Sequence, residues 1–206
     1  MAAVNSGSEK AVAVKGGSAP KGSARARILE AAAQRFYANG IAATGIDTIT
    51  AAAGVAKMSL YNNFSSKAAL VEAYVEARHE EWMGLYEARV ADKTAAQERI
   101  LAVFDAYLDH AESGYEHGFR GCGLLNAAAE LPADDPARAA VRRHKEQVED
   151  ILAGHLRGLT DGPRADQLAE HFCFLLEGAM ARAGLEGGPR RLLDAKEFAA
   201  GMLAAL

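Results

Sequence analysis

The stretch TGIDTITAAAGVAKMSLYNNFSSK places Thr44, Thr48, Lys57, Met58, Ser59, Tyr61, Asn62 and Lys67 close together. These types form no acid–base or nucleophilic set. What they share is the chemistry of nucleic-acid contact. An asparagine amide pairs with an adenine edge, and an apolar side chain meets a thymine methyl. Asn62 and Met58 are therefore candidate base readers. Lys57 and Ser59 suit base or phosphate, and Tyr61 suits a phosphate oxygen. Lys67, at a helix start, offers a second phosphate clamp, to which Thr44 and Thr48 add backbone grip. The same types also make an ordinary polar surface, so the frame around them decides.

That frame reads as two short helices and a tight turn. Thr44 begins the first, with Asp47 three positions on as its capping-box partner. Ile46 and Ile49 face a core, Ala52 and Ala53 permit close crossing, and Gly54 allows a sharp turn anchored by Val55. Residues 56–62 form the second helix, with Leu60 inward, and Phe64 closes the small core. Ser65 or Ser66 caps the helix that carries Lys67 and Leu70. In a helix-turn-helix the second helix enters the major groove and the first braces it. Upstream, residues 23–39 read as a helix with Ser23 as N-cap, the stripe Ile28, Leu29, Ala32 and Phe36, and Asn39-Gly40 as its stop. Its Arg25, Arg27 and Arg35 face phosphate or solvent. Residues 1–70 carry a formal charge of +5 and the remainder −9, a basic head on an acidic body.

The rest of the chain must hold, pair and control this reader. Half of the 206 residues are hydrophobic and only 5 are proline, which predicts an all-α fold. No apolar run reaches the ~18 residues that span a bilayer, and the N-terminus lacks an apolar signal core, so a cytoplasmic location without membrane contact is expected. Residues 1–22, rich in Gly, Ser and Ala, read as a flexible arm whose Lys10, Lys15 and Lys21 either touch phosphate or merely solubilise. Residues 23–68 form the DNA-binding head and residues 69–206 the regulatory and dimerisation domain. Periodicity places helices at 65–90, 94–111, 122–131, 134–159, 163–184 and 191–206, with a loop or helix end at 110–121.

Trp82, Tyr86, Phe104, Tyr107, Leu108, Cys122, Leu125, Phe172 and Leu176 are candidates to line an apolar pocket, with Asn126, His144 and Glu177 to orient a ligand. Each is equally at home in a satisfied core. The Phe172–Met180 stripe and Leu192, Leu193, Phe198, Met202, Leu203 and Leu206 make the last two helices candidates to pair across a two-fold axis. No Ser-His-Asp, zinc-deaminase or phosphate-loop pattern occurs, which speaks against an enzyme, and no cofactor is implied. His110, Glu112 and His117 lack metal-site spacing and read as an exposed turn. Cys122, beside Arg120, is either a reactive thiol or a buried inert one, and pairing with Cys173 stays open.

Gly40, Thr44, Ile49, Ala53-Gly54-Val55, Leu60-Tyr61, Phe64, Ser66-Lys67 and Leu70 resemble the N-terminal pattern of the tetracycline-repressor-like (TetR/AcrR) regulators over about residues 24–72. Gly45, Thr50, Ala56 and Met58 depart from that pattern, where serine, alanine, serine and glycine are usual. The segment GCGLLNAAAELP is similar to one found in a branch of the same family. The resemblance implies a homodimer with one head per half-site of a palindromic double-stranded DNA operator. It also implies an effector pocket in the body and repression relieved by a small-molecule effector. A regulator controlled by cysteine redox state or by a protein partner is the alternative, and a helical ligand-binding enzyme a more distant one.

Overall fold

A computed structural model describes residues 22–115 and 118–206. Lys10, Lys15, Lys21 and His117 lie outside the described residues. Within them the chain is all-helical: α1 (Ala24–Asn39), α2 (Ile46–Ala53), α3 (Lys57–Asn63), α4 (Lys67–Val90), α5 (Ala96–Ala111), α6 (Gly123–Glu130), α7 (Pro136–Leu156), α8 (Gly162–Glu186) and α9 (Arg190–Ala204). No helix among the described residues is long and apolar enough to cross a membrane.

The helix ends follow from local hydrogen bonding. Ser23 accepts from Ala26 N, Ser66 from Ala69 N, Asp135 from Ala137 N and Asp161 from Arg164 N, each meeting an N–H that the first turn leaves unpaired. The expected capping box at Thr44 does not form. Gly45 is the N-cap of α2, and Thr44 Oγ1 instead donates to Gly40 O at 2.7 Å and Arg35 O at 3.2 Å. A threonine hydroxyl that finds carbonyls behind it competes with capping ahead of it. Gly54 ends α2 at φ 62°, a left-handed conformation that costs glycine no Cβ clash.

The head packs α1 against α2, α3 and α4 around Ile28, Ala32, Ile49, Leu60 and Leu70, all fully buried. In the body α5 lies against α4, α7 and α9, while α8 lies against α7 and α9. Phe104 of α5 meets Phe172 of α8 edge-on, with ring centroids 6.0 Å apart. One continuous apolar core joins head and body. Where α8 crosses the segment before α6, backbone touches backbone: a Cβ on Gly184 would stand 2.4 Å from Gly121 N. Part of the predicted dimer stripe belongs to this intrachain core, since Phe172, Leu176, Met180, Leu192 and Leu203 are buried.

Candidate nucleic-acid interface and adjoining cavity

Helix α3 is seven residues long and anchored by one fully buried side chain, Leu60. Around that anchor, Lys57, Met58, Tyr61 and Asn62 stand on the outward face as two adjacent pairs one turn apart. Met58 is 70% exposed and Tyr61 45%. Lys57 Nζ lies 2.9 Å from Asp47 Oδ1. Both partners are largely solvated, so the pair is held weakly and phosphate can displace Asp47. Thr48 is exposed on α2 and Ser59 half-buried on α3, its carbonyl accepting from Asn63 Nδ2 at 2.8 Å.

Two of the expected phosphate contacts are used inside the head. Thr44 is 2% exposed, and its hydroxyl is turned to the α1 carbonyls. Lys67 is half-buried and donates from Nζ to Ile41 O at 2.6 Å, which pins the α1–α2 loop to the start of α4. Two of the upstream arginines are also structural. Arg27 donates to Ala53 O and Gly54 O, bracing the turn, and the Arg25 guanidinium sits 4.7 Å over the Phe64 ring.

The segment 120–130 clasps the end of α1. Arg120 Nη1 donates to Tyr37 O at 2.8 Å and Ala38 O at 2.5 Å, placing a cation on the negative end of the helix. Tyr37 Oη accepts from Arg120 N at 2.6 Å and donates to Gly121 O at 3.1 Å. At the far end of α6 the Glu130 carboxylate accepts from Ile41 N at 2.9 Å and Ala42 N at 2.8 Å. Charge-assisted bonds of this kind hold more strongly than neutral ones. Asn126, expected to orient a ligand, donates from Nδ2 to Arg120 O at 3.1 Å and so supports this clasp.

Beside the clasp lies a cavity of about 540 Å³, between α1, α4 and the segment after α5. Its walls include Glu30, Tyr37, Tyr74, Arg78, Glu81 and Tyr115. A second space of about 20 Å³ lies deeper, bounded by Trp82, Tyr107, Cys122 and His144, and shares Arg78, His110 and Gly123 with the first. His79 Nδ1 and His144 Nδ1 lie 2.9 Å apart, so one ring donates to the other and they cannot both be imidazolium. Burial, with Lys145 nearby, pulls the His144 pKa down to about 3, and burial with Arg78 nearby pulls His110 to about 4. Burial pushes Tyr37 and Tyr107 up to about 12. All four are neutral at pH 7.

The predicted pocket residues divide. Trp82, Tyr107, Cys122 and His144 surround the inner space. Leu176 and Glu177 join Tyr107 on a separate cleft of about 180 Å³, where Glu177 Oε1 pairs with Lys145 Nζ at 2.9 Å. Tyr86 stacks on Trp82 and its hydroxyl meets His155 Nε2 at 2.8 Å. Phe104, Phe172 and Leu108 are core, and Leu125 is exposed. His110 is not in an exposed turn: it is half-buried, and Tyr115 Oη lies 3.1 Å from its Nε2 and from its carbonyl. The pocket reading missed Tyr37, Tyr74, Arg78, Glu81 and Tyr115. Tyr74, Arg78, Glu81 and Trp82 recur at helical spacing on α4, a signal present in the chain. Cys122 and Cys173 form no disulfide. Arg120 is engaged by the α1 carbonyls, and burial pushes the Cys173 thiol up to about 12, so Cys173 lacks the setting of a reactive thiolate. No group of His, Cys, Asp and Glu among the described residues is placed to hold a metal.

Residues 28–74 match the family of bacterial regulatory proteins called the tetR family, and residues 96–199 match the tetracyclin repressor-like C-terminal domain. The transcriptional regulator AcuR of Cereibacter sphaeroides is 33% identical over 180 residues, covering 79% of this chain and 77% of that protein. The transcriptional activator FasR of Mycolicibacterium smegmatis is 31% identical over 104 residues, 49% of this chain and 48% of that protein. The crystal structure of a TetR-family transcriptional regulator from Streptomyces coelicolor superposes with a TM-score of 0.77 at 34% identity, over 87% of this chain and 93% of that one.

Proposed function

Since the chain belongs to the tetR family of bacterial regulatory proteins, and is therefore a DNA-binding transcriptional regulator and not an enzyme, we propose that it is a dimeric repressor released from a palindromic operator by a small effector. The observation that carries the DNA half is the outward face of α3, where Lys57, Met58, Tyr61 and Asn62 stand exposed around the buried Leu60. Met58 and Asn62 read base edges, Lys57 and Tyr61 hold phosphates, and Thr48 and Ser59 add to the grip at the groove margin. Lys67 contributes its charge at the foot of α4 while pinning the α1–α2 loop. Residues 23–68 act as the head and 69–206 as the body.

Dimerisation follows from what α8 and α9 leave uncovered. Phe174 is 64% exposed and Phe198 61%, with Leu185, Leu193 and Leu206 also exposed. Two copies joined over this face give each dimer two α3 helices, matched to two half-sites. The effector occupies the space between α1 and α4. Tyr37 belongs both to its wall and to the clasp at Arg120 and Gly121, so occupancy moves the clasp and with it the head. Selection of duplexes from random sequence by the purified chain tests this reading. It predicts an enriched inverted repeat bound by two copies, with affinity falling steeply with salt; no enrichment at low salt would refute it.

A further inference from the structure

We propose that the cavity beside the clasp takes a small monocarboxylic acid with a planar body, its carboxylate reaching into the adjoining inner space to Arg78 and Trp82. This rests on the reading of that space as the effector site, and names the class of effector. Arg78 and Trp82 are one turn apart on α4 and both bound the inner space. Each has a buried N–H without a hydrogen-bond partner: Arg78 Nε and Trp82 Nε1. Trp82 is only 4% exposed, so its N–H is turned into the protein and not to bulk solvent. Glu81 Oε2 is buried there too without a hydrogen bond, held to Arg78 Nη1 by the ion pair alone, and the other neighbouring polar groups are engaged. His79 and His144 bond each other, His110 meets the Tyr115 hydroxyl, and the Tyr107 hydroxyl accepts from Lys145. Arg78 Nε and Trp82 Nε1 outnumber the one unpartnered acceptor, which already faces Arg78 Nη1, and so call for a ligand that brings another.

The inner space of about 20 Å³ admits one oxygen; a carboxylate oxygen there accepts from both donors, and its charge suits the guanidinium. A cation would bring no acceptor and would face Arg78. Glu81 sets the limit in the other direction. Its Oε2 lies 2.6 Å from Arg78 Nη1, so one anion is already on that guanidinium, while Nε is without a hydrogen-bond partner. A second acidic group on the ligand would meet Glu81, which selects a monoacid. The walls favour a flat body: Tyr37 and Tyr115 are stacked at 4.2 Å between centroids, with Tyr74 also lining the space. The outer volume, about 540 Å³, is ample for one aromatic ring with a short unsaturated arm.

Trp82 is the single tryptophan of the chain, so its fluorescence reports the site directly. The full-length protein is titrated with benzoate and cinnamate, and in parallel with benzyl alcohol, benzamidinium and phthalate. Saturable change with the two monoacids, at least ten-fold tighter than with the other three, is expected. Arg78→Gln should weaken benzoate at least ten-fold by calorimetry. Glu81→Gln should tighten it several-fold and admit phthalate, an effect that a merely disrupted fold would not produce. Binding of benzyl alcohol or benzamidinium as tight as that of benzoate, or binding of none of the five, would overturn the proposal. Release of the selected duplex, followed by anisotropy, separates the two readings. If the monoacids bind and the duplex stays bound, the acid site stands and the effector reading fails. If benzyl alcohol or benzamidinium releases the duplex and the monoacids do not bind, the effector reading stands and the acid class fails.

Discussion

Lys57 stands at the start of α3 with its ammonium on Asp47, both exposed to water. A pair this solvated contributes little to folding. Lys57→Ala should therefore leave the melting temperature nearly unchanged, weaken all duplexes alike, and lower the salt slope of dimer binding by about two, one for each head. Met58→Ala and Asn62→Ala should act differently. Each should cost about 1–3 kcal/mol per half-site and relax the preference at one base pair of each half-site. Competition binding against single-position duplex variants separates the two behaviours. Buried histidines give the residue scale a pH signature. The folded pKa values of His144 and His110, about 3 and 4, lie below the ordinary 6.5, so unfolding takes up protons in acid. Their neutral forms contribute stability that is intact above pH 6.5 and is lost as pH falls toward 4. Each can remove up to about 1.4 kcal/mol per pH unit across that window. Urea midpoints measured from pH 7 to pH 4.5 should fall, and His144→Leu should flatten the fall.

At the scale of elements, the turn between α2 and α3 carries the reader. Gly54 holds a φ of 62°, and Gly54→Ala should destabilise the chain by about 1–2 kcal/mol while disordering the approach of α3 to DNA. Thermal unfolding with duplex titration checks both parts. Glu130 tests the clasp. Glu130→Gln keeps one acceptor for the Ile41 and Ala42 N–H groups but loses the charge, at a cost of about 1 kcal/mol. Its amide exchange should rise at Ile41 and Ala42 and not at Leu60. The helices were legible in the chain because their signals are local: Ser23 and Ser66 cap, Asp135-Pro136 opens α7, and Leu60 alone anchors α3. Thr44 was misread for the same reason. A T-x-x-D spacing looks like a capping box from sequence, yet its hydroxyl finds Gly40 O and Arg35 O once α1 has packed. The clasp and the cavity were not legible. Arg120 and Tyr37 meet across 83 positions of chain, and Glu130 and Ile41 across 89, distances no local pattern encodes. The pocket candidates that turned out to be core, Phe104 and Phe172, carry the same apolar signature as those that line space.

The whole molecule joins a basic head to an acidic body through one continuous core, with Phe174 and Phe198 left bare on the last two helices. Aromatic side chains this exposed, on the same two helices as the exposed Leu185 and Leu193, are of the kind that a second copy covers. Phe174→Asp with Phe198→Asp should give a folded monomer by sedimentation, with unchanged helicity and duplex affinity lowered at least a hundred-fold. A single head contacts one half-site, and salt-sensitive phosphate contacts alone do not hold it there. That the chain is a two-headed reader of an inverted repeat is the central claim, and it is tested most directly by selecting duplexes from random sequence and weighing the complex. An inverted repeat bound by two copies of the chain, lost on Lys57→Ala with Asn62→Ala, is the predicted result. Enrichment of no sequence, or of a single unrepeated site bound by one copy, would contradict it.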